Sequence, residues 1–253
     1  MIYVSIVSHG HFSLIKEIGC LVRFKDSNQI KIIVRDNIRE VGFDIWCRSL
    51  GFIYKYNSSQ FGFGKNNNLN FLQAELNGCS ENDYFLVMNP DVDCSEESVL
   101  ILVQGMLENK AGLGTLNLFL DSNLTEFDHC VRQFPRIWDF ISRILFGINK
   151  TIIDKNDCGS ISYVDWVAGS FMMFTYGTYK KLNGFDEKYF MYCEDIDICS
   201  RYLKEYSSRV IFFKDIYGVH LSQKQSRKIF SHHFLWHFKS AVRYLLKEKN
   251  LIV

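Results

Sequence analysis

Carboxylates crowd one short run of this sequence, Gly184-Phe185-Asp186-Glu187-Lys188-Tyr189-Phe190-Met191-Tyr192-Cys193-Glu194-Asp195-Ile196-Asp197-Ile198-Cys199-Ser200-Arg201, where five acids fall within twelve residues beside aromatics. A carboxylate held against apolar surface has a tunable proton affinity, as general acid–base chemistry requires. Asp186 and Glu187 follow a Gly-Phe turn and are expected to be solvated. From Glu194 the spacing predicts a helix start. Its acids sit in the first turn, where the helix dipole favours them, and Ile196, Ile198, Cys199, Tyr202 and Leu203 form an inner face. Glu194, Asp195 and Asp197 are therefore the catalytic candidates, Glu194 and Asp195 projecting into a cleft. The competing reading is that these acids only complement the dipole.

Polar residues elsewhere fall where strands should end. Ser8-His9 follows the apolar run from Ile2 to Val7, and Asp36-Asn37 follows Ile30 to Val34. Ligands of α/β sheets bind outside the carboxyl ends of strands, so these pairs are placed together; a plain turn is the alternative for Asp36-Asn37. After a weak strand at Phe52 to Tyr56, the stretch Gln60-Phe61-Gly62-Phe63-Gly64-Lys65-Asn66-Asn67-Asn68 reads either as a tight loop with amides facing a ligand or as an Asn-rich helix cap, before a helix from about Leu69 to Leu76. Asn89-Pro90-Asp91-Val92-Asp93 ends the strand Tyr84 to Met88, because proline stops the ladder and leaves Asp91 and Asp93 at the strand end. Trp166 offers a face for a sugar ring or for the core. Small residues at Ala168-Gly169-Ser170 let a ligand approach the backbone. His220 is expected in a loop past Gly218-Val219.

The elements that position these groups alternate strand and helix, which predicts an α/β fold. With 253 residues the chain can bury one substantial core. We expect a catalytic domain over 1–223, with a nucleotide-binding half to about 94 and an acceptor half from about 95, followed by a helical tail over 224–253. Lysine and arginine total 29 against 28 acids, so nothing in the global charge argues for nucleic acid. The eight cysteines are scattered without a Cys-x-x-Cys pair and read as buried reduced thiols, which points to the cytosol. The first residues read as a strand rather than a signal peptide, and no stretch reaches the ~18 apolar residues of a membrane span. The tail carries Lys224, Arg227, Lys228, Lys239, Arg243, Lys247 and Lys249 against Glu248, with apolar residues at 234, 235, 238, 242, 245 and 246 in helical spacing. That is the pattern of a basic amphipathic helix on a membrane surface, or of a helix docked on the domain with a basic outer face.

The acidic run resembles the signature of the inverting family-2 glycosyltransferases of the rhamnosyltransferase type, and the resemblance spans nearly the whole chain. It implies a GT-A-like single domain with a mixed, mostly parallel sheet. It implies Asp195 as catalytic base and Asp36-Asn37 beside the nucleobase. Gly62, Phe63, Asn67 and Asn68 fit the family's donor loop, although Asn70 stands where glycine is usual. Asn89 replaces the first acid of an Asp-x-Asp motif, which leaves Asp91, Asp93 and His220 for a divalent cation, Mg²⁺ or Mn²⁺, that neutralises a diphosphate leaving group. Asp165, Trp166, Gly169 and Ser170 match the family's sugar and acceptor wall. By resemblance the donor is dTDP-L-rhamnose and the acceptor a polyprenyl-diphosphate-linked sugar, N-acetylglucosaminyl-diphospho-undecaprenol, used at the cytoplasmic face of the inner membrane in O-antigen synthesis. Other donors or acceptors, a metal-dependent nucleotide-sugar hydrolase and a non-catalytic sugar-binding module are the rival readings.

Overall fold

The computed structural model describes residues 1–146, 149–221, 232–249 and 251. In chain order the elements are β1 (Ile2–Ser8), α1 (Phe12–Ile18), β2 (Ile30–Asp36), α2 (Phe43–Ser49), β3 (Ile53–Tyr56), α3 (Phe63–Leu76), β4 (Tyr84–Met88), β5 (Val92–Asp93), α4 (Glu96–Glu108), β6 (Leu113–Phe119), β7 (Val131–Arg132) and α5 (Ile137–Phe146). There follow β8 (Ile161–Val164), β9 (Trp166–Val167), β10 (Phe171–Thr175), α6 (Tyr176–Lys181), α7 (Glu194–Tyr206), β11 (Val210–His220) and α8 (His232–Glu248).

The main sheet runs β3-β2-β1-β4-β10-β6-β11-β5, with β8 beside β11. Its first half is parallel: β1 pairs with β2 and β4, and β2 with β3. β1, β2 and β4 are buried on both faces, which is why they read as continuous apolar runs, while the edge strand β3 is partly exposed. β10 is antiparallel to β4 and β6, while β6 and β11 are parallel, so the sheet is mixed. β7 and β9 form a separate two-stranded ribbon. Ser95 caps α4 by accepting the Ser98 N–H at 3.0 Å, as its position before Glu96-Glu97 predicts.

Four local expectations change. The apolar spacing of Leu14, Ile15, Ile18, Leu21 and Val22 predicts one helix, which is split: α1 ends at Ile18, and Cys20–Phe24 forms a 3₁₀ turn. α3 starts at Phe63, not about Leu69, so Gly64 lies inside a helix rather than in a ligand-facing loop. β11 continues through a register shift between Phe213 and Tyr217, which places His220 in a strand rather than a loop. Asp186 is not solvated, because its carboxylate meets Arg243 and Lys247 of α8, each at 3.0 Å.

The tail helix has three faces. One grips the acidic run: Trp236 stacks on Phe190 with centroids 4.8 Å apart, Ser240 Oγ donates to the Met191 carbonyl, and Arg243 and Lys247 reach its carboxylates. A second carries Ala241 and Tyr244 into the core, Tyr244 lying 6.3 Å from Phe140 of α5. The third leaves Leu235, Phe238 and Val242 exposed. Lys224, Arg227, Lys228 and the side chain of Phe234, counted in the sequence as part of this helix, lie outside the described residues.

Candidate active site

The site forms where β1, β2 and β4 end and α7 begins. Tyr192 and Cys193 both take left-handed backbone, φ 73° and 64°, and Cys193 caps α7. Two consecutive non-glycine residues in this region store strain, and here the strain delivers Glu194 and Asp195 at the helix's first turn. Glu194 is buried, and its Oε2 has no hydrogen-bond partner among the described residues. Burial, and then the neighbouring Asp195, push its carboxyl well above the usual range. Asp195 is half-buried; its Oδ2 accepts the Gly169 N–H at 3.2 Å and its Oδ1 the Ile196 N–H at 2.9 Å. Burial raises its proton affinity, while those two N–H groups and the charge of Arg132 hold it back. The result is a pair of neighbouring carboxyls, both with raised proton affinity, with the buried Ser170 Oγ also lacking a partner among the described residues.

Asp91 stands opposite, at the end of β4. β5 pairs antiparallel with the end of β11, matching Val92 to His220, and the Leu221 N–H donates to the Asp91 carbonyl. That pairing carries His220 Nε2 to 3.2 Å from Asp91 and its Nδ1 to 2.5 Å from Asp128. Burial alone would lower His220, but Asp128 and Asp91 raise it to about 9, an imidazolium between two carboxylates. Burial likewise would raise Asp91, and His220 holds it below the ordinary carboxylate range. The loop from 120 to 130 folds back through a Phe119–Phe127 bridge, and this places Asp128. The turn that carries Asp91 is tied to the Asp195 side, since the Asn89 N–H donates to the Ser170 carbonyl at 2.9 Å.

No family model matches the sequence. The rhamnosyltransferase WbbL of Escherichia coli (strain K12) is 37% identical over 252 residues, covering 99% of this chain and 95% of that protein. The chain belongs to this rhamnosyltransferase family. Solved structures show the same GT-A fold. The mannosyltransferase PcManGT from Pyrobaculum calidifontis, in complex with GDP-Man and Mn²⁺, superposes with TM-score 0.59 at 14% identity, over 96% of this chain and 64% of that one. GalNAc-T7 with UDP, GalNAc and Mn²⁺ gives TM-score 0.69 at 10% identity, over 90% and 45%. S. aureus TarS with UDP-GlcNAc gives 0.58 at 13%, over 90% and 61%. The chain spans less than two thirds of each of these three structures.

In this rhamnosyltransferase-family chain, several residues matched to the site are engaged in holding the fold. Asp197 is not open to the cleft: its carboxylate pairs with Arg201 at 2.7 Å and Lys247 at 2.6 Å and is 3% exposed. Asp93 meets Arg23 at 3.1 Å instead of joining Asp91 and His220. Asp165 accepts the Phe134 N–H and pairs with Arg209 at 3.0 Å. Trp166 is buried, its N–H donates to the Gln133 carbonyl, and the Arg132 guanidinium lies 5.0 Å from its ring, so its face is no open platform. Asn67 joins Ser5 to the Phe63 carbonyl. Asn68 ties Tyr179 and the Phe185 backbone to α3. Gly62 and Phe63 form the seam beneath the acidic run: the Phe63 N–H donates to the Phe190 carbonyl, and a Cβ on Gly62 would lie 2.7 Å from Phe190 Cα. Gly169 likewise makes room for the Phe63 ring, 2.9 Å from where its Cβ would be.

Ser8, His9, Asp36 and Asn37 do come together. Asp36 accepts the N–H groups of Ile38, Arg39 and Glu40 and the Tyr54 hydroxyl. Ser8 donates to Glu40, and Asn37 bridges Asn57, Phe61 and the exposed His9. Sequence reasoning missed Asp128, Glu40 and the buried Arg35, which donates to Asn70, Asn57 and the Leu69 carbonyl. Asn70, the departure from the family's glycine, is thus the partner of Arg35. Among the described residues no three His, Cys, Asp and Glu side chains form a ready cage for a metal ion. Asp91 and Asp128 nonetheless face each other across a single positive imidazolium. The Asp91 carboxylate, joined by His220 Nε2 only once that nitrogen has given up its proton, fits a divalent cation completed by phosphate oxygens and water.

Proposed function

We propose that the protein transfers L-rhamnose with inversion from dTDP-L-rhamnose to N-acetylglucosaminyl-diphospho-undecaprenol in O-antigen or related surface polysaccharide synthesis, at the cytoplasmic face of the inner membrane. The observation that carries this reading is Asp195, a carboxylate at the first turn of α7, fixed by the Gly169 N–H beside the buried Glu194, whose carboxyl burial pushes well above its usual range. The relative's printed name, rhamnosyltransferase, supports the sugar. Donor and acceptor follow the family resemblance of the acidic run.

In this mechanism Asp195 takes the proton of an acceptor hydroxyl, whose oxygen forms a bond to the anomeric carbon as the bond to the diphosphate breaks. Burial and the neighbouring Asp195 favour the protonated form of Glu194, which limits the negative charge beside the developing alkoxide. The leaving diphosphate departs toward Asp91 and His220. Asp91, and His220 through Nε2 once its proton has left, with Asp128 behind it at Nδ1, would hold a Mg²⁺ or Mn²⁺ ion, which would supply charge neutralisation of the leaving group when bound. The loop from Asp36 to Glu40 and the Asn37 side chain position the nucleobase.

Product analysis with a panel of nucleotide sugars and a synthetic polyprenyl-diphosphate acceptor tests the proposal. Rhamnosylated lipid of inverted configuration is expected from dTDP-rhamnose. Release of free sugar without acceptor would make the protein a hydrolase, and binding without turnover would make it a sugar-binding module. A clear preference for UDP or GDP sugars would replace the donor.

A further inference from the structure

The tail's charges do not all face outward. Arg243 and Lys247 point inward to Asp186 and Asp197, and Glu248 is drawn to Ser200 and Lys204. What α8 turns outward is hydrocarbon: Leu235 and Phe238 are 55% and 50% exposed, and Val242 continues the stripe one turn on. α5 lies alongside, joined through Phe140 and Tyr244, and exposes Ile137 and Phe146, with Trp138 71% open. Exposed apolar groups gathered on two adjoining helices exceed what scattered surface hydrophobes explain. Arg136 directly precedes Ile137, and Lys239 and Lys249 fall at helical spacing from Leu235 and Val242; all three are exposed. An indole and a phenyl ring on a helix face, bordered by lysine and arginine, suit the headgroup region of a bilayer.

We infer that α5 and α8 together form a bilayer-docking face, which inserts Trp138, Leu235, Phe238 and Val242 among the headgroups of an anionic lipid surface. The choice of lipid over a protein partner rests on the cationic border and on the lipid-linked acceptor proposed above. The join between Trp236 and Phe190 holds α8, which carries this face on its outer side, against the run that leads to Asp195. Docking is then mainly apolar, with the border charges adding attraction, and the tail's inward cations brace the site rather than meet lipid.

Sedimentation of the full chain with vesicles of phosphatidylglycerol and phosphatidylethanolamine, at low and at high salt, tests this. The wild-type protein should bind at low salt and keep a large part of that binding at high salt, since screening weakens charges but not burial of hydrocarbon. Trp138→Ser combined with Phe238→Ser should lower partitioning at least about tenfold, while turnover on a water-soluble short-chain acceptor stays at the wild-type level. Lipids brominated near the headgroup should quench tryptophan fluorescence in the wild type, and the conservative Trp138→Phe should remove that quenching while still binding vesicles. Equal partitioning by the folded double variant, quenching unchanged in Trp138→Phe, or a wild-type dimer that the double variant dissociates would each overturn the inference. Vesicle binding as expected without any rhamnose transfer would instead remove the reading of function and leave this face standing.

Discussion

The two sides of the cleft are built on opposite principles. On the donor side, Asp36, Asn37, Asn57, Asn66 and Asn70 satisfy one another and the backbone, and Asp36 alone accepts three loop N–H groups. On the side of chemistry, Glu194 and Ser170 carry buried oxygens without partners among the described residues, and Asp195 keeps an open edge. A saturated network fixes shape at little electrostatic cost; an unsaturated one keeps capacity for a proton or a ligand. The contrast suggests that recognition of the nucleotide depends on rigidity, and reaction on residual electrostatic demand.

The largest effect should come from the side of chemistry. Asp195→Asn keeps the shape but cannot take a proton, so turnover should fall by roughly 10²–10⁴ with donor affinity nearly unchanged in calorimetry. Because burial raises the Asp195 carboxyl above its ordinary 3.8, the acid limb of the wild-type rate should lie above that value. Wild-type turnover in Asp195→Asn would pass the role of base to Glu194. Next, Asp91→Asn should weaken cation-dependent dTDP binding by about 10- to 100-fold, with the loss shrinking when chelator is present; loss of turnover with full donor affinity would erase the distinction between the two carboxylates.

Smaller effects should come from the saturated side and from the tail. Asp36→Ala strands loop N–H groups and should cost about 2 kcal/mol, read as a Tm fall of roughly 4–8 °C. If stability stayed put while only turnover fell, the donor network would not be the rigid half. The smallest effect concerns Asp186. Despite burial, the Lys188 N–H and the Lys247 and Arg243 partners hold its carboxyl down to about 2. A depressed folded-state pKa stabilises above the ordinary value of 3.8 and loses that contribution as pH falls toward 2. After allowance for solvent screening it is worth about 1 kcal/mol. Hydrogen exchange in α8 should therefore quicken over that window, and Lys247→Met should flatten the dependence.

Much of this architecture was legible because local rules and tertiary structure agree. The β-branched runs of β1 and β2 are buried strands, Ser95 caps a helix, and the acids at 194, 195 and 197 open one. The periodicity of α7 also predicts which residues turn inward. It does not show that Asp197 would meet Lys247, fifty residues away, because ion pairs of that separation depend on how helices cross. Asn67 and Asn68 read as ligand-facing for the same reason: a run of amides near a helix start carries no mark of Ser5 or Tyr179 waiting opposite. Asp128 left no signal at all, since its place depends on the 120–130 loop folding back along β6. His220 was legible as a residue, but its strand was not, because β11 passes through a register shift before pairing with β5.

Lys247 bridges Asp186 and Asp197, one on each side of the strained turn that presents Asp195. A ribosome delivers residue 247 more than fifty residues after Asp195. During synthesis the segment that bears Asp195 therefore lacks this clasp until α8 emerges.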